Sequence, residues 1–299
     1  QHTTIKILTY TENKIQMIEP LKILDEDSKP EFDYKEAYKD CFVDLSKEPK
    51  RPEIVLSIGS HDYKGVLYPN PTLTVDEMSV IVAPKKSKKS FLKASLCACY
   101  IGGNAQHYFP DIRSHRVGEP YILDFDTEQG QYYAWRSFNT VAEMVGHKYH
   151  NYLPFGLKKL SKKERLLFID STINDPRYKG KIGLILIDGI VDLIANPNSY
   201  EESDEVIMKL MQWNSGAHII NVIHKTFEKA KANGHAGTII QNKIETSFFL
   251  EVTDKDVKNS PVKVEQTDSR GAPFDDFYFD LDLTTVLPKQ CGVSEDWEV

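Results

Sequence analysis

Lys181-Ile182-Gly183-Leu184-Ile185-Leu186-Ile187-Asp188-Gly189 is the stretch from which the rest of the chain can be read. From Lys181 to Ile187 it is strongly apolar, the pattern of a strand buried on both faces. Such strands belong to parallel sheets, whose right-handed crossovers lay helices on both sides. An acid, Asp188, closes the run. Ligands of parallel sheets gather at the carboxyl ends of the strands, so the residues that follow each strand are the ones to weigh for function.

On either side of this strand, β-like and α-like segments alternate. Met78 to Val82 reads as a buried strand, and a lysine-rich turn separates it from an apolar helix, Phe91 to Ile101, that stops at Gly102-Gly103. Tyr121 to Phe125 reads as a second strand, followed by a helix through Tyr132 to Val145. Ser161 and Glu164 have capping-box spacing for a helix that reaches Ile173. Beyond Asp188, a helix near Ser203 to Trp213 and a strand from Ala217 to Ile223 are expected. Nearer the N-terminus, Glu53 to Ile58 reads as a strand and the sequence from there to Thr74 as turn-rich. The tail carries three β-like stretches, Thr246–Val252, Val262–Gln266 and Phe277–Leu281. The expected fold class is α/β, with a central, mostly parallel β-sheet flanked by helices and antiparallel strands toward the C-terminus. Residues 1–50, polar and rich in lysine and glutamate, read as an N-terminal arm or small cap; residues 51–290 read as one domain and 291–299 as a tail.

Composition bounds the function. The 299 residues are 40% hydrophobic and 27% charged, an ordinary globular balance that excludes wholesale disorder. The net charge of −7 argues against a surface coated in basic residues, yet leaves room for nucleic acid gripped by a few loops. Cys41, Cys97, Cys99 and Cys291 lack zinc-ribbon spacing, and Cys97 and Cys99 fall in the apolar helix, where reduced core thiols are expected. No apolar run approaches the ~18 residues a membrane span needs. The N-terminal residues show neither a basic nor an apolar leader segment, so a cytoplasmic protein without a membrane partner is expected.

Four strand ends carry candidate chemistry. After the Met78 strand comes Ala83-Pro84-Lys85-Lys86-Ser87-Lys88-Lys89-Ser90, which can be laid on the phosphate-loop template G-x-x-x-x-G-K-[ST]. Lys89 and Ser90 match its last two positions, while Ala83 and Lys88 stand where it has glycine. In such a loop backbone amides wrap a phosphate, the lysine reaches the terminal phosphates and the hydroxyl holds Mg²⁺; a solvated charged turn is the alternative. After the Tyr121 strand comes Asp126-Thr127-Glu128-Gln129. A carboxylate there can orient a water for attack on a phosphate, or Asp126 or Thr127 can cap a helix. Asp188 has the Walker B pattern, in which the acid holds Mg²⁺ through water; a structural cap is the alternative. His224 ends the Ile219 strand, placed to sense a phosphate or to act as an ordinary hydrogen-bonded strand terminus. The separations from Lys89 to Glu128, Asp188 and His224 each leave room for the crossover helices that bring all four to one sheet edge.

With these motifs the chain resembles the RecA-like NTPases, in particular the RepA-type hexameric plasmid helicases. It is similar, more closely, to the divergent AAA-family ATPases encoded on bacterial mobilizable transposons. The resemblance spans roughly Glu53 to Leu281. In that group a lysine-rich loop also replaces the glycine loop, and Lys86 to Phe91 looks like it. Asp124 to Gln129 resembles the family's second-strand motif, Leu186 to Gly189 its Walker B, Val222 to Lys225 its sensor strand, and Gly234 to Thr238 the loop that follows. The resemblance implies ATP and Mg²⁺ as cofactors, Glu128 as catalytic glutamate with Lys89 and His224 beside it, and Ser90 and Asp188 as metal ligands. It implies a nucleotide cradle made by Lys85, Lys86, Ser87, Lys88, Lys89, Ser90 and Phe91. No arginine finger is evident; Lys225, Lys231 and Lys243 are the candidate cations, supplying charge without the bidentate fork.

Three functions follow as expectations. The first is an ATP-driven DNA-handling protein, a helicase or an accessory ATPase, assembled as a homo-oligomeric ring or filament, with Lys225–Lys231 as a DNA-facing or simply a mobile surface loop. The second is a regulatory module that binds nucleotide or phosphate without useful hydrolysis. A small-molecule kinase ranks third, because no arginine-rich lid sequence is present.

Overall fold

The structure, a computed structural model, describes residues 8–11, 14–17, 33–196, 198–214, 216–224, 234–254, 257 and 259–292. The chain divides into two units, Gln1–Lys50 and Arg51–Val299. In the first, β1 (Leu8–Thr11) pairs antiparallel with β2 (Lys14–Met17), and α1 (Tyr34–Cys41) starts where the Asp33 side chain accepts from the amides of Lys35 and Glu36. The arm or cap expected there thus holds a hairpin and a helix.

In the second unit the apolar runs become the interior strands of a large sheet. Its strands are β5 (Met78–Ala83), β7 (Tyr121–Asp126), β8 (Tyr152–Gly156), β9 (Ile182–Asp188), β10 (His218–His224), β11 (Thr246–Val252), β12 (Val262–Ser269), β13 (Phe277–Leu281) and β14 (Pro288–Cys291). Among the described residues they lie in the order β14-β13-β12-β11-β5-β10-β9-β7-β8. The six strands from β11 to β8 run parallel, and β12, β13 and β14 extend the sheet antiparallel. The fold is therefore a mixed α/β one, a large and mostly parallel sheet flanked by helices with antiparallel strands on one side.

Alternation along the strands divides the core into two layers. Ile81, Ile122, Leu184, Leu186, Ile220 and Val222 face α2 (Lys89–Ile101) and α4 (Gln131–Val145). Val80, Leu123, Phe125, Ile185, Ile187 and Ile219 face α5 (Lys162–Ile173), α6 (Tyr200–Trp213) and α7 (Gly234–Gln241). Helix α2 is buried almost all round, as an apolar helix between layers must be, and Gly102 closes it by donating to the Ala98 carbonyl. The capping box of α5 forms between Ser161 and Glu164. Cys97 and Cys99 are buried in α2 as free thiols.

Among the described residues of the second unit, four strands go beyond the sequence reading. The stretch after Ile58, expected as turns, forms a hairpin of β3 (Ile54–Tyr63) and β4 (Val66–Thr74), joined by β6 (Ile112–Ser114) in a second sheet. The pairing of β3 with β4 carries register shifts between Ile54 and Ser60, which accommodate Pro69 and Pro71. Strands β8 and β14 form the two edges of the main sheet, and Cys291 belongs to β14 rather than to a tail. The short helix α3 (Ala105–Tyr108) completes the unit.

Candidate functional site at the carboxyl edge of the main sheet

The strands whose ends attract interest, β5, β10, β9 and β7, are consecutive neighbours in the sheet. Register places their last residues in two rows two residues apart, Ala83 opposite His224 and Asp126 opposite Asp188, which itself lies opposite Val222. The β5–α2 turn crosses this edge. Ser87 is buried and its hydroxyl donates to the Pro84 carbonyl at 2.7 Å, closing the turn on itself. Lys86 and Lys88 have left-handed backbones, φ 64° and 61°. Lys88 holds the position that the phosphate-loop template gives to glycine, so the backbone has the shape a glycine would supply while the side chain is a lysine.

The side chains of the turn diverge. Lys85 and Lys86 are exposed. Lys88 donates to the carbonyl of Ser260 at 2.8 Å, and burial lowers its pKa against the pull of Asp280 and Cys291. Phe91 packs against the core. Lys89, the first residue of α2, is buried and enters the site.

Three side chains meet there. Lys89 Nζ lies 3.5 Å from Glu128 Oε2 and 2.8 Å from His224 Nε2, and His224 Nε2 lies 3.0 Å from Glu128 Oε1. One ring nitrogen serves only one of these partners at a time, donating to Glu128 when protonated or accepting from Lys89 when not. The hydrogen bond from His224, opposed by burial and reinforced by the Lys89 ammonium, holds the Glu128 carboxyl down at about 2. Gly189 lets Glu128 approach: its φ is 94°, and a Cβ there would collide with Thr127 Oγ1 and crowd Glu128 Cγ. Thr127 Oγ1 also donates to the Asp188 carbonyl at 2.9 Å, tying the end of β7 to that of β9.

Beside this trio, Ser90 Oγ donates to Asp188 Oδ2 at 3.0 Å. Beneath it lies a network that sequence reasoning missed. Lys93, one turn further along α2 and with no exposed surface, donates to Asp124 Oδ1 at 2.7 Å and lies 3.8 Å from Asp188 Oδ2. Tyr152 donates its hydroxyl to Asp124 Oδ2 at 2.7 Å, and the Phe138 ring centroid is 5.5 Å from the ammonium. Burial alone would lower the Lys93 pKa, but Asp124, Asp188 and Asp126 outweigh it and the net shift is upward. Asp126 is fully buried; its Oδ1 accepts from the amides of Glu128 and Gln129 at 3.0 and 2.7 Å, capping the turn after β7 rather than α4, whose N-cap is Gly130. Burial pushes the Asp126 carboxyl up, with Lys93 pulling it back.

The structure thus gathers Lys89, Ser90, Glu128, Asp188 and His224 at one edge, and adds Lys93, Asp124, Asp126 and Tyr152. A lysine inside an apolar helix and an acid inside an apolar strand were the available signals for Lys93 and Asp124. Among the described residues no three histidine, cysteine or acidic side chains form a cluster able to hold a metal unaided. Lys225 and Lys231 lie outside the described residues, and Lys243 is exposed after α7. Compared with known proteins, the chain matches no family model and no curated sequence.

Proposed function

We propose that the chain is a RecA-like P-loop NTPase with an altered phosphate loop, which binds ATP with Mg²⁺ and acts on DNA in the replication or mobilisation of a mobile genetic element. One observation carries the nucleotide reading. The lysine and the hydroxyl that close the phosphate-loop template reach two different acids, Lys89 touching Glu128 and Ser90 touching Asp188, across consecutive strand ends. The left-handed Lys88 supports it, since the loop keeps a glycine-like bend without the glycine. DNA as partner and assembly into a ring or filament rest on the sequence resemblance alone. Among the described residues no helix is long and apolar enough to cross a membrane.

In this reading Lys89 exchanges its contacts with Glu128 and His224 for a phosphate, and the released Glu128 accepts a hydrogen bond from the attacking water. The His224 hydrogen bond, the largest cause of the low Glu128 pKa, is the contact that keeps the carboxylate ionised as Lys89 leaves. His224 stands next to both and reports on which partner Glu128 holds. The residues also fit Mg²⁺: Asp188 Oδ1 is buried with no hydrogen-bond partner, and Ser90 offers its hydroxyl beside it. When bound, the ion would neutralise charge on the phosphates.

Titration of a fluorescent ATP analogue with Mg²⁺ tests the reading. The wild type should saturate, and Lys89→Ala should weaken binding by a factor on the order of ten or more, as loss of a charge-assisted contact does. Glu128→Gln should bind nucleotide as the wild type does and lose hydrolysis. Absence of saturable, Mg²⁺-dependent binding by the folded wild type would end the proposal. A second reading, a nucleotide-binding regulatory module, is favoured by the engagement of Lys89 with Glu128 and His224; binding without measurable hydrolysis by the wild type would select it.

A further inference from the structure

We propose that Asp126 joins Asp188 in a divalent-cation site. This deepens the reading above and rests on it for the cation's role in nucleotide binding, but not for the binding of the cation itself. The two acids are register partners on adjacent parallel strands, β7 and β9. Register partners in a sheet point to the same face, here the one that α2 covers. Both are buried, Asp126 at 0% and Asp188 at 1% exposure.

Each acid has one oxygen engaged and one orphaned. Asp126 Oδ1 caps the amides of Glu128 and Gln129, and Asp188 Oδ2 takes the Ser90 hydroxyl. Asp126 Oδ2 and Asp188 Oδ1 have no partner. Among the described residues only four buried side-chain polar atoms are in that condition, and two of them sit on this one pair. A buried carboxylate oxygen without a donor is costly, so a pair of them on neighbouring strands points to a cation.

Charge gives the same answer. Lys93 is hydrogen-bonded to Asp124 and thereby balances that acid, its reach toward Asp188 being longer at 3.8 Å. Asp126 and Asp188, when ionised, leave two negative charges uncompensated, the charge of one Mg²⁺ or Mn²⁺. Lys93 and Ser90 both engage Asp188 Oδ2, which leaves Oδ1 unengaged. Mg²⁺ is commonly held by one or two carboxylates and keeps several waters, so no third acid is required. The competing occupant is a proton on Asp126.

Mn²⁺ titrated into the nucleotide-free full chain, with free Mn²⁺ read by its electron paramagnetic resonance signal, tests this. Asp126→Asn and Asp188→Asn are expected to weaken Mn²⁺ binding at least about tenfold, the loss typical when a metal site's support is removed. Thermal unfolding supplies a folding control. Without metal, Asp126→Asn keeps the capping oxygen and should melt no lower than the wild type; Mn²⁺ should raise the melting temperature of the wild type and leave that of the variant unmoved. Wild-type Mn²⁺ affinity in a folded Asp126→Asn protein would overturn the proposal, as would a wild type that Mn²⁺ neither saturates nor stabilises. Intact nucleotide binding in that event leaves the broader reading standing. Asp126-dependent Mn²⁺ binding without any nucleotide binding would do the reverse.

Discussion

At Lys93 the chain places an ammonium inside a helix whose other residues are almost all buried and largely apolar. The cost of desolvating it is offset by Asp124, by Asp188 and by the Phe138 ring. Lys93→Met should therefore destabilise the protein by about 3–5 kcal/mol in urea unfolding, because Asp124 is left buried without its partner. Lys93→Met combined with Asp124→Leu should recover most of that loss, since an apolar pair of similar volume often matches a buried ion pair. Additive losses in the double variant would instead place the stabilising role outside the pair. This network is the part of the site least legible in sequence. Lys89, Glu128, Asp188 and His224 follow strand ends, where parallel-sheet topology directs attention. Lys93 and Asp124 interrupt apolar periodicity from within, and only the packing of α2 on β7 shows that they interrupt it together.

The β5–α2 turn holds two lysines in a conformation that costs non-glycine residues roughly 1–2 kcal/mol each. Lys88→Gly removes that strain and also the hydrogen bond to Ser260, while adding freedom to the unfolded chain. Those terms nearly cancel, so the variant should melt within a few degrees of the wild type. Lys88→Val keeps the strain, adds β-branching and loses the hydrogen bond, and should cost on the order of 2 kcal/mol or more. Equal melting temperatures for the two variants would remove the strain argument. Among the elements, strands β5, β7, β9 and β10 were legible because they are rich in apolar residues and bounded by turn residues. Strand β4 was not, because Pro69 and Pro71 read as turn formers while their places in the ladder are irregular. Strand β8 escaped for a related reason: Pro154 sits in a run that borders the sheet on one side only.

Across the whole molecule, acid should weaken the fold in two stages. His218 is fully buried, bonded to the Thr74 carbonyl and the Ser79 hydroxyl, and burial depresses its pKa to about 4 although the Thr74 bond opposes this. The unfolded chain takes up this proton near pH 6.5 and the folded chain does not, so stability present above that pH falls as pH drops toward 4, by on the order of 3 kcal/mol. Glu128, depressed to about 2, contributes stability that is present above its unfolded pKa and is lost as pH falls from about 4.5 toward 2. Asp126 and Glu245, both raised by burial, act in the opposite sense. Urea midpoints measured from pH 7 to 3 should decline through the first window in the wild type. His218→Gln should flatten that decline, and Glu128→Gln should flatten only the part below about pH 4.5. A wild-type midpoint independent of pH between 6.5 and 4 would refute the assignment of His218.

The two outermost strands of the main sheet, β8 and β14, each include a proline, Pro154 and Pro288. Proline has no amide hydrogen to give, so neither lateral border presents an unbroken row of donors. Strand addition to the main sheet by a crowding neighbour thus meets a gap in the donor row at both of its borders, which checks growth of a fibril from that sheet.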